Sequence, residues 1–138
     1  MADRLIIHDV EAPCRIGVFD WEREKPQTVW IDLELEIDAA SAAANDDVED
    51  AVDYARLVDA VRAIAQQRSY RLLETLAETL TSHILSEYAT PVVRIKIKKR
   101  ALKRIGYAAV ELERRVDDER APRRRVMRGA RARLISRR

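Results

Sequence analysis

From Val29 to Ile37 the chain alternates without a break. Val29, Ile31, Leu33, Leu35 and Ile37 fall on one side, and Trp30, Asp32, Glu34 and Glu36 on the other. Side chains on a strand change face at every residue, so this pattern specifies one long strand with a single buried face. The rest of the chain must flank that strand and cover that face. The segment before it, Ile16-Gly17-Val18-Phe19-Asp20-Trp21-Glu22, followed by Pro26, breaks the alternation and reads as a wide loop between two strands. Such a loop is either an ordinary connection or a platform that sets a carboxylate beside aromatic and apolar surface.

A length of 138 residues fits one domain with a real core. With 47% hydrophobic and 36% charged residues the composition is globular. No apolar run approaches the roughly 20 residues that span a bilayer, and Met1-Ala2-Asp3-Arg4 lacks the regions of a signal peptide. The lone Cys14 forms no internal disulfide, so the expected setting is cytosolic. The net charge of +2 conceals an asymmetry. Arg120 to Arg138 carries nine arginines and no acid, which leaves 17 basic against 24 acidic side chains in residues 1–119, a net of −7. The expected organisation is a domain over 1–119 and an arginine-rich tail over 120–138.

In chain order, Arg4 to Val10 predicts a first strand, with Leu5, Ile6 and Ile7 meeting apolar surface on both faces. Ala39 to Asp50 predicts one or two helical turns and a loop. Tyr54, Leu57, Val58, Val61, Ile64 and Ala65 share one face of a helix that ends near Arg68. Ser69 is a candidate N-cap for a second helix over about Leu72–Tyr88, with Leu73, Leu76, Ala77, Leu80 and Ile84 buried and Pro91 as its stop. Val93 to Lys99 alternates again, and Tyr107 to Arg114 makes a last strand burying Val110 and Leu112. The order ββααββ predicts an α+β fold with helices on one face of a four-stranded antiparallel sheet. Its apolar edge strands predict pairing with other subunits.

Two histidines and one cysteine, far apart, make a dedicated zinc site improbable, and no glycine-rich phosphate cradle is present. Three residues carry chemical alternatives. Glu74, in the first turn of the second helix, either complements the helix dipole or binds a guanidine-like edge through paired hydrogen bonds. Lys99, at a strand end, is either edge charge or a base held against apolar surface. Tyr54 is either core or a hydroxyl with a partner.

Four segments together resemble the dihydroneopterin aldolase family, over roughly residues 3–115. Residues 16–22 (IGVFDWE) resemble its IGVxDWE loop, and Asp46 to Tyr54 its S-D-D-x-x-D-x-x-x-Y segment. Leu72 to Glu78 resembles its LLExLAE helix, and Val93 to Lys99 its VRIxxxK strand. The resemblance implies a tunnelling fold that assembles into an oligomeric barrel, a tetramer or octamer with sites at subunit interfaces. It implies a lyase of folate biosynthesis that splits 7,8-dihydroneopterin into 6-hydroxymethyl-7,8-dihydropterin and glycolaldehyde, with no cofactor, metal or Schiff base. Glu74 would anchor the pterin, while Leu73, Val52, Asp53, Val18 and Phe19 would line its pocket. Lys99 would be the base acting through water, Glu22 would hold that network, and Tyr54 would relay a proton.

Two departures accompany the resemblance. Arg100 stands where many members have proline after the lysine, and the connection over 100–106 looks short. Lys98 is therefore a competing register. The alternatives are an epimerase of dihydroneopterin or its triphosphate, with the arginine-rich loop over 100–104 suited to phosphate, and a silent pterin-binding protein. The tail reads as a solvated extension, or as a basic arm docking on an acidic neighbour or on nucleic acid. It has no interleaved aromatics for stacking on bases.

Overall fold

The computed structural model describes residues 2–100 and 103–117. The arginine-rich tail, with the readings attached to it, lies outside the described residues. Four strands, β1 (Asp3–Cys14), β2 (Gln27–Ile37), β3 (Val92–Lys99) and β4 (Ala108–Arg115), form one antiparallel sheet in the order β1-β2-β3-β4. The helices α1 (Ala39–Asn45), α2 (Tyr54–Gln67) and α3 (Leu73–Glu87) lie between β2 and β3 in sequence. Helix α2 packs on β1, and α3 packs across β3 and β4. The core between sheet and helices takes Val29, Ile31, Leu33 and Leu35 from β2 and Val93, Ile95 and Ile97 from β3. From α2 it takes Leu57, Val61 and Ala65, and from α3 Leu76, Ala77, Leu80 and Ile84. The two alternating runs thus turn their apolar parity toward one helical layer.

Strand β1 runs past Val10 to Cys14, beyond the expected end. Its pairing steps from Ile7 with Leu33 to Val10 with Ile31, so His8 and Asp9 together oppose Asp32. Asp9 has φ 57°, and its N–H donates to Asp32 Oδ1 at 2.8 Å. This bulge switches the buried parity from Leu5 and Ile7 to Val10, Ala12 and Cys14, which hides the strand's continuation from a period-two reading. Ile6 is 48% exposed, so only one face of the Leu5–Ile7 run meets apolar surface in this chain.

Two other expectations are corrected. Ser69 does not cap α3. The Tyr70 N–H donates to Arg15 O and the Gly17 N–H to Tyr70 O, at 2.8 and 3.0 Å, which ties this segment to the wide loop. The helix therefore begins only at Leu73, after an extended Leu72. Tyr54 heads α2 but leaves its buried stripe, which is Leu57, Val61 and Ala65, and is 62% exposed. Val110 and Leu112 are half-buried, as befits the edge strand β4. Asp38 caps α1 by accepting from Ser41 N, and Asp53 caps α2 by accepting from Ala55 N and Arg56 N.

These pairings give the molecule two distinct ends. Lys98 pairs with Trp30 near the start of β2, while Val93 pairs with Leu35 near its finish. Thr90 Oγ1 donates to Glu36 O, which fixes the start of β3 beside the end of β2. Lys99 thus lies at one end of the sheet, and Tyr54, beside Ile37 and Tyr88, at the other. Eight strand residues at about 3.3 Å each put roughly 26 Å between them.

Candidate active site

The Lys99 end is built by the wide loop folding back on itself. Ile16 forms a parallel bridge with Tyr70, which sets the loop's root beside the start of α3. Residues Asp20–Arg23 then make one tight 3₁₀ turn that swings Glu22 under Gly17. Gly17 has φ +154°, and a Cβ there would collide with the Glu22 side chain. Only glycine leaves that room. Arg23 clamps the loop by donating to Gly17 O at 2.6 Å and Val18 O at 3.0 Å, itself held by Asp20 at 2.6 Å.

Into this pocket comes Lys99, the last inward residue of β3 after Val93, Ile95 and Ile97. Its side chain is buried. Its Nζ donates to Ile16 O at 3.3 Å and lies 3.6 Å from Glu22 Oε2. Glu22 Oε1 accepts from the Phe19 N–H at 3.0 Å, and Gln27 Nε2 donates to Ile16 O at 2.6 Å. The Phe19 N–H, and after it the Lys99 charge, hold the Glu22 carboxyl below its ordinary value against the opposing pull of burial. Cys14 lies near this pair, and burial pushes its thiol up to about 11, with the Lys99 charge acting the other way. The thiol is therefore protonated at neutral pH and is no nucleophile.

Lys98 faces away from this pocket. Its Nζ contacts Asp9 at 2.5 Å and Asp32 at 3.3 Å on the opposite face of the sheet. Its bond to Asp9, then Asp32, raises its pKa and holds it protonated. Arg100 also turns to that face, where its guanidinium lies 5.5 Å from the Tyr107 ring and Tyr107 packs edge-on against Trp30.

The remaining candidates are divided between the two ends. Glu74 and Leu73 open α3 at the Lys99 end. Leu73 packs against the core, whereas Glu74 is exposed in the single chain. Val18 and Phe19 are exposed, with the Phe19 ring stacked on Trp21 at 6.2 Å between centroids. Val52, Asp53 and Tyr54 stand at the far end, bordering a broad depression with Ile37 and Tyr88. The structure brings Lys99 and Glu22 together and does not bring Tyr54 to them. Sequence reasoning missed the Ile16 carbonyl, Gln27 and Arg23. The Gly17–Glu22 spacing held a signal for the turn, but nothing local marks Tyr70 as its partner. Among the described residues no group of three or more His, Cys, Asp or Glu side chains stands together as a metal site. No helix among them is long and apolar enough to cross a membrane.

One face of the four-stranded antiparallel sheet is covered by helices, and the buried Lys99 meets Glu22 at the sheet's end. The dihydroneopterin aldolase family model matches residues 5–113. The Escherichia coli K12 dihydroneopterin aldolase is 33% identical over 113 residues, covering 81% of this chain and 93% of that protein. The Methylorubrum extorquens dihydroneopterin aldolase is 35% identical over 118 residues, covering 83% and 91%. Among solved structures, a putative dihydroneopterin aldolase of Vibrio cholerae superposes with a TM-score of 0.81 at 34% identity, over 83% of this chain and 98% of that one. The E. coli dihydroneopterin aldolase in complex with neopterin gives 0.79 at 33% identity, over 81% and 98%. The chain belongs to the dihydroneopterin aldolase family, lyases of folate biosynthesis.

Proposed function

We propose that this chain cleaves 7,8-dihydroneopterin by a retro-aldol reaction at a site shared between two copies. The observation that carries the chemistry is the buried Lys99, whose Nζ is held between Glu22 Oε2 at 3.6 Å and Ile16 O at 3.3 Å. A lysine fixed between a carboxylate and a carbonyl can order a water and move a proton through it. In this reading that water takes the proton of the 2′-hydroxyl. The C1′–C2′ bond breaks, C2′ leaves as the aldehyde carbon of glycolaldehyde, and the electron pair enters the conjugated C6=N5 system of the dihydropterin ring. Protonation at C1′ then yields 6-hydroxymethyl-7,8-dihydropterin. The ring itself is the electron sink, so the step draws on no metal, cofactor or Schiff base. Glu22 holds the lysine–water pair, and Tyr54 relays a proton in the later steps.

Glu74 anchors the aminopyrimidinone edge by two parallel hydrogen bonds. Leu73, Val18 and Phe19 flank the ring from the same copy, and Val52, Asp53 and Tyr54 close over it from the next. The separation of the two ends supports this sharing, because a pterin cannot touch Lys99 and Tyr54 of one chain. The exposed sheet face also favours head-to-tail assembly. Arg4, Glu34, Arg94 and Glu113 form a ladder of alternating charge across β1 to β4, and a second copy's β1 beside β4 would continue it. A homo-oligomer, tetramer or octamer, follows, in the cytoplasm, where the unpaired Cys14 is at home. Arg100 turns from Lys99 toward Tyr107.

Incubation with 7,8-dihydroneopterin, with both products assayed, tests the reading. Glycolaldehyde in step with 6-hydroxymethyl-7,8-dihydropterin is expected. Dihydromonapterin alone would make the enzyme an epimerase, and saturable binding without product would make it a pterin-binding protein.

A further inference from the structure

The last described residues lead out of the fold beside an acidic concavity. After β4, the Val116 N–H donates to Pro91 O at 3.1 Å, and Pro91 lies two residues beyond Ala89, which borders the depression at the Tyr54 end. That depression has an apolar floor that includes Leu5, Ile37 and Val52. Five carboxylates border it, those of Asp38, Glu49, Asp50, Asp53 and Glu87, against one arginine, Arg56, and His83. Asp38 and Asp53 cap helices and Asp50 Oδ2 accepts from Asn45 Nδ2 at 3.0 Å; the exposed Glu49, Asp50 and Glu87 carry the outward negative charge.

The sequence that follows is the chain's most basic part, with nine arginines and no acid from Arg120 to Arg138. It lies beyond residue 113, where the family match ends. The geometry points to a docking surface: the arginine-rich segment of this chain binds its own acidic depression, with Glu49, Asp50 and Glu87 as its contacts. Reach is ample, since each residue adds at most about 3.6 Å and the rim begins beside the exit point. Guanidinium groups pair with carboxylates bidentately, and several such pairs on one tether raise the local concentration of the arm far above that of a free peptide. The docking stands on charge and chain position alone. Its consequence, that the arm borders the Tyr54 half of a shared site, rests on the reading given above.

Limited trypsin digestion of the full-length protein, followed by intact mass, reads the docking directly through cleavage at the tail arginines. At low ionic strength, about 0.01 M, where charges act over about 30 Å, a Glu49→Gln/Asp50→Asn/Glu87→Gln variant should lose its tail about tenfold faster than wild type. At about 1 M salt, where that range falls to about 3 Å, the two rates should converge. A synthetic peptide of residues 118–138, cut under the same conditions, calibrates the protease and makes the wild-type salt arm a test that needs no variant. A Glu11→Gln/Asp59→Asn/Glu111→Gln control, neutralised elsewhere on the surface, should be cut at the wild-type rate. Equal rates for wild type and rim variant at low salt would overturn the proposal. So would equal acceleration in the control, which would make the effect one of the whole acidic body. Slow cleavage in every chain would mean that the arm is held elsewhere, on nucleic acid or another surface, and would overturn it too.

Discussion

Lys99 and Glu22 meet at 3.6 Å although 77 positions separate them in the chain, one at the end of β3 and the other in a 3₁₀ turn before β2. Each is placed by a backbone feature rather than by its partner. Strand parity carries Lys99 inward, and the missing Cβ of Gly17 makes room for Glu22.

The parity argument separates the two neighbouring lysines. Lys99→Met, which keeps most of the side-chain volume, should lower kcat by about 10²- to 10⁴-fold, the range of a general base, and leave pterin binding in place. Lys98→Ala should keep kcat near wild type and cost up to about 1 kcal/mol of stability through its lost pairs with Asp9 and Asp32. Steady-state kinetics beside equilibrium pterin titration checks both. A fully active Lys99→Met with a dead Lys98→Ala would reverse the assignment.

Gly17→Ala should act on Glu22 rather than on the loop alone. The added methyl would strike the Glu22 side chain, in a backbone conformation that other residues rarely adopt. A loss of about 1–3 kcal/mol of stability is expected. Displacing Glu22 from Lys99 should also cut kcat about 10- to 100-fold. Thermal melts and kinetics on the same preparation check this, and unchanged values in both would refute the packing argument.

Stability should fall in acid partly through Glu22. Its folded-state pKa lies below the ordinary 4.5, because the Phe19 N–H and then Lys99 favour the carboxylate. In the window between the two values the unfolded chain binds more protons, so stability rises with pH there. The contribution is complete above about 4.5 and disappears as pH falls through the folded value. Glu22→Gln should therefore be less stable than wild type at neutral pH, with the gap closing at low pH. Denaturant unfolding at neutral pH and below pH 4 measures the gap; a gap that widens in acid would contradict the assignment.

Much of this was legible from residue order, and the exceptions share a cause. The alternation of Val29–Ile37 and Val93–Lys99 specified two central strands, while the choice between Lys99 and Lys98 as the inward lysine came only with the observed register. The apolar stripes of α2 and α3 specified the covering layer. Hidden from it were features made by distant pairing. The Asp9 bulge resets the parity of β1 through a bond to Asp32, and the Tyr70–Ile16 bridge delays α3 past Ser69. Tyr54 matched the helical period yet lies outside the core, because period gives the face of a helix and not how far along it the packing extends. The resemblance implied sites at subunit interfaces, but which of the proposed residues stand at which end of the chain emerged only from the strand register and the placement of α2.

The division of the site is the central claim, and mixing two inactive chains tests it most directly. Lys99→Ala and Tyr54→Ala proteins, each purified alone, should show little turnover of 7,8-dihydroneopterin. Unfolded together in equal amounts and refolded as mixed oligomers, they should regain activity. About a quarter of the interfaces would then take an intact Lys99 from one copy and an intact Tyr54 from its neighbour. Recovery near a quarter of the wild-type rate is the result expected of a shared site. Mixed oligomers, verified by differential tagging, that stay as inactive as their parents would show that each site belongs to a single chain.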